Sequence, residues 1–273
     1  MGAFLSHPAV QGGIAPFVTG LVVVAVFARA RLAGLAVAAG FGVAVALVDG
    51  LGFMPLTATR KIVLLALVAP AVGIVLDFIA GKTGRTITVL VALACGAVSP
   101  WVFWSVLHQQ TPATALALGL GTAVFVAWLV AATLSVAQQP VRAGAAALML
   151  GLGTGVAAIL GASAKLGLYG IALAAGAGAF LLWQMATGRK LAAGATLTLS
   201  IAVAAGLLAA AAMILAQVPW YALIPIALIP LAARLPAAER LPVFVQAFVV
   251  SAYGLALAAV ACVLTWRAPA PFG

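Results

Sequence analysis

The stretch IVLDFIAGKTGR (74–85) sets two kinds of chemistry side by side. A carboxylate, Asp77, ends an apolar run, and Gly81-Lys82-Thr83 then looks like the tail of a phosphate-binding loop. Such a loop needs G-x-x-x-x-G-K-[ST], so that successive backbone N–H groups wrap the phosphates. Its first glycine would fall at position 76, which is Leu76, and the segment follows an apolar run suited to a membrane helix rather than a strand. The pattern is a decoy for nucleotide binding. Asp77 lies five residues before Lys82, or ~7 Å along a helix axis. An ion pair with Lys82 or Arg85 at a membrane interface is its expected role. Coupling to a proton or ion is the functional alternative, because ionisable groups within a span are costly and often functional.

A second acid mirrors it. VALVDGLGFMPLTATRK (45–61) puts Asp49 near the end of another apolar run, with Arg60 and Lys61 across the turn. An interfacial pair is again expected, and the alternative is a polar pocket that holds a zwitterion or an anion. The two acids do not make a carboxylate dyad. The run from Lys61 to Asp77 covers ~24 Å of helix rise, and a shared proton needs contact at a few ångströms. The third acid, Glu239, sits between Arg234 and Arg240 in RLPAAERLP, where a solvated ion pair is expected.

The remaining candidates are weaker. His7 and His108 fall near one face, and SPWVFWSVLHQQ aligns Pro100, Trp104 and His108 on one helical stripe. Trp at that depth reads as an interface anchor. No H-E-x-x-H, G-x-S-x-G or C-x-x-C occurs, so neither an enzyme nor a bound metal or cofactor is expected. The segment VPWYALIPIALIPLAARLP (218–236) carries Pro219, Pro225, Pro230 and Pro236. Proline removes a helix hydrogen bond and clashes with the preceding turn. A span interrupted at Pro225 and Pro230 would free carbonyls near mid-depth, as in the broken helices of transporters; the other reading is a merely kinked packing helix. Gln184, Thr196, Thr198, Ser200, Gln246, Ser251 and Tyr253 are uncharged groups that could line a path. Isolated Ser and Thr more often bond their own helix.

The elements that must position these residues follow from composition. Of 273 residues, 67% are hydrophobic and 6% charged, against ~25% charged in soluble domains. Apolar runs recur at about the ~20 residues that cross a hydrocarbon layer. The fold class is therefore all-α, a polytopic transmembrane helical bundle forming one integral-membrane domain over 1–273, with no soluble domain. Backbone groups in lipid must be satisfied internally, so each span is a helix. Ten spans are expected, at about 13–28, 32–54, 61–80, 86–107, 113–136, 143–164, 166–187, 191–216, 219–233 and 241–266. The tight turn around GASAKLG and the short ninth span are the weakest divisions. No Lys or Arg precedes Arg29, so the first run is expected to be an uncleaved span rather than a signal peptide.

The net charge of +10 does not point to nucleic acid, because the bases come in ones and twos between apolar runs. With the N-terminus outside, inner loops hold Arg29, Arg31, Lys82, Arg85, Arg142, Arg189, Lys190, Arg234 and Arg240, and outer loops hold Arg60, Lys61, Lys165 and Arg267. That bias is the positive-inside pattern and predicts both termini outside a bacterial-type inner membrane. Gly151 and Gly155 form a G-x-x-x-G, read as helix packing. LALGLGT (116–122) and LMLGLGT (148–154) match closely and read as chance or shared packing.

The leading functional expectation is a carrier for a small solute, using Asp49, Arg60, Lys61, Asp77, Pro225 and Pro230. The alternative is a non-catalytic accessory subunit of a larger membrane complex. Expected partners are the lipid bilayer, with other membrane subunits or further copies of the chain. A polar cavity reaching mid-depth near the ninth span would favour the carrier, and a solid apolar core there the accessory subunit.

Overall fold

The computed structural model describes residues 6–52, 54–79, 84–237 and 240–268. Lys82 and Glu239 lie outside the described residues. The chain folds as an all-α bundle, and the described residues contain ten principal helices. They are α1 (Ala15–Phe27), α2 (Leu35–Val48), α3 (Ala58–Ile79), α4 (Arg85–Val102), α5 (Pro112–Leu134), α6 (Pro140–Leu160), α7 (Ala164–Thr187), α8 (Gly194–Leu215), α9 (Leu223–Ala232) and α10 (Val243–Trp266). Each answers to one expected span. Eight of these segments are long and apolar enough to cross a membrane, α1 together with its flanking turns, while α2 and α9 are shorter. The chain is a multipass membrane protein whose apolar outer faces meet lipid.

The two short helices have local causes. α2 stops because Gly50 takes a left-handed φ of +69° directly after Asp49. α9 starts late because Pro219 is extended and Trp220–Ala222 form a single 3-10 turn. α9 is not interrupted, which favours the packing helix over the broken span. Pro225 is its third residue, where the backbone N–H has no intrahelical partner to lose. Pro230 lies inside the helix, which nonetheless continues to Ala232. In the turn before Pro230 the indole Nε1 of Trp128 on α5 donates to Ala227 O at 3.0 Å, next to Ile226, whose carbonyl Pro230 leaves without its helical donor. That bond ties α9 to the neighbouring helix α5. Pro100 in α4 is handled within its own helix. The carbonyl it would otherwise engage, Gly96 O, accepts the Ser99 hydroxyl at 2.8 Å.

α8 is the axis of the fold and packs against α3, α5 and α6, while α7 packs against α6, α2 and α1. Every residue from Ala195 to Ala212 is buried, and a helix apolar all round belongs in the core. The G-x-x-x-G is a true contact. A Cβ on Gly151 would sit 2.5 Å from Ala174 N, and one on Gly170 of α7 would sit 2.4 Å from Gly155 Cα. The matching LALGLGT does not share this role, because a Cβ on Gly121 would meet nothing and one on Gly119 only Leu107 at 3.7 Å. The sequence match therefore carries no common packing.

Candidate functional site

The two acids lie at helix ends on opposite sides of the bundle, and among the described residues neither pairs with the bases nearest to it in sequence. Asp49 follows α2 and meets the start of α7. Its Oδ2 accepts from Lys165 Nζ at 2.6 Å and from the Tyr169 hydroxyl at 2.6 Å. Lys165 and Tyr169 are one helical turn apart on α7, so both reach one acceptor. Tyr169 is fully buried and packs edge-on against Phe41 of α2, with ring centroids 5.5 Å apart. Asp49 lies just past the last residue of α2. Burial raises its pKa, but the hydrogen bonds from Lys165 and Tyr169 and the nearby charges of Lys165 and Arg60 outweigh that, and its pKa falls below the ordinary 3.8.

The expected cluster of Asp49 with Arg60 and Lys61 is not the arrangement formed. Arg60 Nη1 donates to Pro55 O at 3.0 Å. Lys61 Nζ donates to Trp101 O at 3.0 Å and stands 4.5 Å from the centroid of the Trp101 ring. Lys61 therefore ties the start of α3 to the end of α4. The competing partner for Asp49, Lys165, lies 116 positions further along the chain, and only the packing of α7 on α2 brings it close.

Asp77 differs more from expectation. Its Oδ1 accepts from Ala195 N at 2.6 Å. Its Oδ2 accepts from Thr196 N at 2.8 Å and from the Thr196 hydroxyl at 2.7 Å. Among the described residues Asp77 forms no ion pair with Arg85, and Lys82 is outside them. Asp77 is the N-terminal cap of α8, supplied by α3. The reason lies in α8 itself, whose own N-cap position is Ala193 and has no side-chain acceptor. The first N–H groups of a buried helix need a partner, and a carboxylate also matches the positive end of the helix. The approach is close. A Cβ on Gly73, one turn before Asp77, would lie 2.6 Å from Thr196 Cα, and one on Gly194 would lie 2.3 Å from Asp77 Oδ2. An apolar helix starting with GAT and no acceptor of its own was the available signal.

The remaining polar groups are mostly occupied locally. Thr198 donates to Gly194 O and Ser200 to Thr196 O, each within α8. Beside α9, the space toward mid-depth is a groove of about 420 Å³ lined by apolar side chains such as Phe125, Met213 and Leu223. Its one hydroxyl, Thr122, donates to Leu118 O and Gly119 O of its own helix. Among the described residues no three His, Cys, Asp or Glu side chains group together.

Among the described residues a polar cavity lies elsewhere, at the Asp77 end of the bundle. It measures about 780 Å³ and is lined by Ser135, Gln138, Gln139, Pro140, Val141, Arg142, Lys190, Arg234, Ala237, Gln246 and Val250. Three connections build it. The turn between α5 and α6 is tied to the loop after α7 by Gly194 N donating to Ala137 O at 3.3 Å. The connection between α9 and α10 is tied to α6 by Arg142 Nη1, which donates to Ala233 O and Leu235 O at 2.9 Å each. Arg234 Nη2 donates to the Ser135 hydroxyl. Gln184 Oε1 accepts from Leu191 N at 3.3 Å and holds the loop that carries Lys190.

No family model and no curated protein matches this chain. Its chemistry is therefore read from the geometry alone. Sequence reasoning placed Arg142, Lys190 and Arg234 in loops of one face but not around one cavity, because nothing in a single sequence says which loops meet.

Proposed function

We propose that this chain is a non-catalytic accessory subunit of a larger membrane assembly, seated in a bacterial-type inner membrane with its Asp77 end toward the cytoplasm. The observation behind this reading is the axial helix α8. From Ala195 to Ala212 it is buried on all sides, and the space beside α9 is apolar. A solid apolar core at mid-depth is what an accessory subunit needs, because its contacts are made by helix faces. The orientation rests on the Lys and Arg bias of the loops. Purification from native membranes in mild detergent tests the reading. Other membrane subunits are expected to remain with the chain in fixed ratio, and a lone monomer would count against it.

A carrier for a small solute is the second reading, and the 780 Å³ cavity beside the end of α9 favours it. In this reading the cavity is an entrance, the Asp49–Lys165–Tyr169 cluster closes the opposite end, and transport requires α8 to separate from its neighbours. Purified chain in liposomes that moves small anions would establish this reading over the first.

A further inference from the structure

We infer that the cavity at the Asp77 end binds a phosphate-class oxyanion, held by Arg234 and Lys190 against a wall fixed by Arg142. This stands on the cavity and is independent of the accessory-subunit reading.

Charge is the first ground. Three cations line the cavity, and among the described residues no acid lines it. The nearest described acid in the chain pattern, Asp77, is already committed to the backbone of α8. The acid of the α9–α10 connection, Glu239, is outside the described residues. Lys190 has no hydrogen-bond or ion-pair partner among the described residues, and Arg234 has the neutral Ser135 hydroxyl. Arg142 is different, because both of its contacts are to backbone carbonyls across the cavity wall, so it adds charge while bracing the shape.

Shape and backbone are the second ground. The volume falls within the ~300–1,000 Å³ usual for ligand sites. α6 begins at the cavity after Gln139, and α10 lines it one turn after its own start with Gln246; neither start has a side-chain cap. Their positive ends add to the field. Gln139 and Gln246 supply further polar lining.

The ligand class follows from the count of charges. A single carboxylate would leave most of three cations unmatched, whereas a phosphate carries up to two negative charges and several acceptor oxygens. The Arg fork fits such oxygens in a bidentate manner. Basic pockets between membrane helices are also where anionic lipid headgroups bind. The oxyanion therefore comes either from a lipid headgroup or from a free phosphate or phosphate ester.

The test uses the full-length chain, delipidated in neutral detergent. Equilibrium dialysis with radiolabelled inorganic phosphate at fixed ionic strength is one arm. Thermal unfolding in vesicles of phosphatidylcholine with or without phosphatidylglycerol is the other. Lys190→Gln is exposed and without a partner in the described structure, so it is expected to fold, and Arg234→Gln is its companion. Each is expected to weaken binding about tenfold, the worth of one charge-assisted hydrogen bond. Arg267→Gln, at the other end, removes the same net charge and is expected to change nothing. Saturable phosphate binding lost in Lys190→Gln assigns a free phosphate. A phosphatidylglycerol-dependent rise in midpoint lost in Lys190→Gln assigns a headgroup. No response in either arm, or a response equally reduced by Arg267→Gln, overturns the inference.

Discussion

The two ends of the bundle handle charge in opposite ways. At one end an acid meets a base, with Asp49 taking Lys165 and Tyr169 together and leaving a neutralised cluster. At the other end the acid is spent on backbone, because Asp77 caps α8 and meets no described cation. The cations of that end are then left to line a cavity. The difference shows that a membrane carboxylate is claimed by the strongest unsatisfied donor within reach, and the nearest base in sequence has no priority. Buried helix starts without a cap are such donors.

The largest expected effect separates the two acids directly. Asp77→Ala removes three hydrogen bonds from a buried helix start and is expected to destabilise the fold by about 2–4 kcal/mol. Asp49→Ala is expected to cost less, about 1–2 kcal/mol, because Lys165 is 45% exposed and that pair is screened, so the main loss is the acceptor of the buried Tyr169 hydroxyl. Unfolding midpoints in detergent measure both, and equal effects would break the comparison. A double-mutant cycle sharpens it. Asp77→Ala with Thr196→Val is expected to show coupling of about 1 kcal/mol, and Asp77→Ala with Arg85→Gln none. Coupling to Arg85 would restore the ion pair that the sequence suggested.

A smaller effect is expected from pH. The pKa of Asp49 is lowered in the fold, so its contribution to stability is complete above the ordinary carboxylate value and is lost as pH falls through the lower folded value. Asp49→Asn is expected to flatten the acid limb of a stability–pH profile relative to the unmodified chain. An unchanged limb would mean that the Lys165 contact does not hold in solution. The smallest effect is expected from Arg60→Gln, which loses a contact to Pro55 O and only a distant charge on Asp49, within about 0.5 kcal/mol.

Much of the architecture was legible in the chain. Apolar length and the spacing of Lys and Arg gave ten helical segments close to those formed, because lipid imposes both rules on every segment independently. The limits appear where two segments must meet. The Asp49–Lys165 contact depends on α7 lying against α2, and the Asp77 cap depends on α3 passing the start of α8. Neither fact is local. Pro225 and Pro230 misled for a different reason. Proline count says nothing of position within a helix, and Pro225 falls in the first turn, where it is tolerated. The basic cavity was invisible for the first reason again, since Arg142 belongs to the start of α6 while Lys190 and Arg234 belong to the connections after α7 and α9.

The central claim is that, among the described residues, the bundle has a solid apolar core at mid-depth and a polar cavity at its basic end. Cysteine accessibility tests it most directly. In a Cys95→Ala, Cys262→Ala background, Lys190→Cys is expected to react with a hydrophilic maleimide in membranes opened to both sides. Ala205→Cys, midway along α8 and fully buried, is expected to stay unreactive under every solute condition. Labelling of Ala205→Cys, above all if an anion changes its rate, would show a water path through the core and contradict the account.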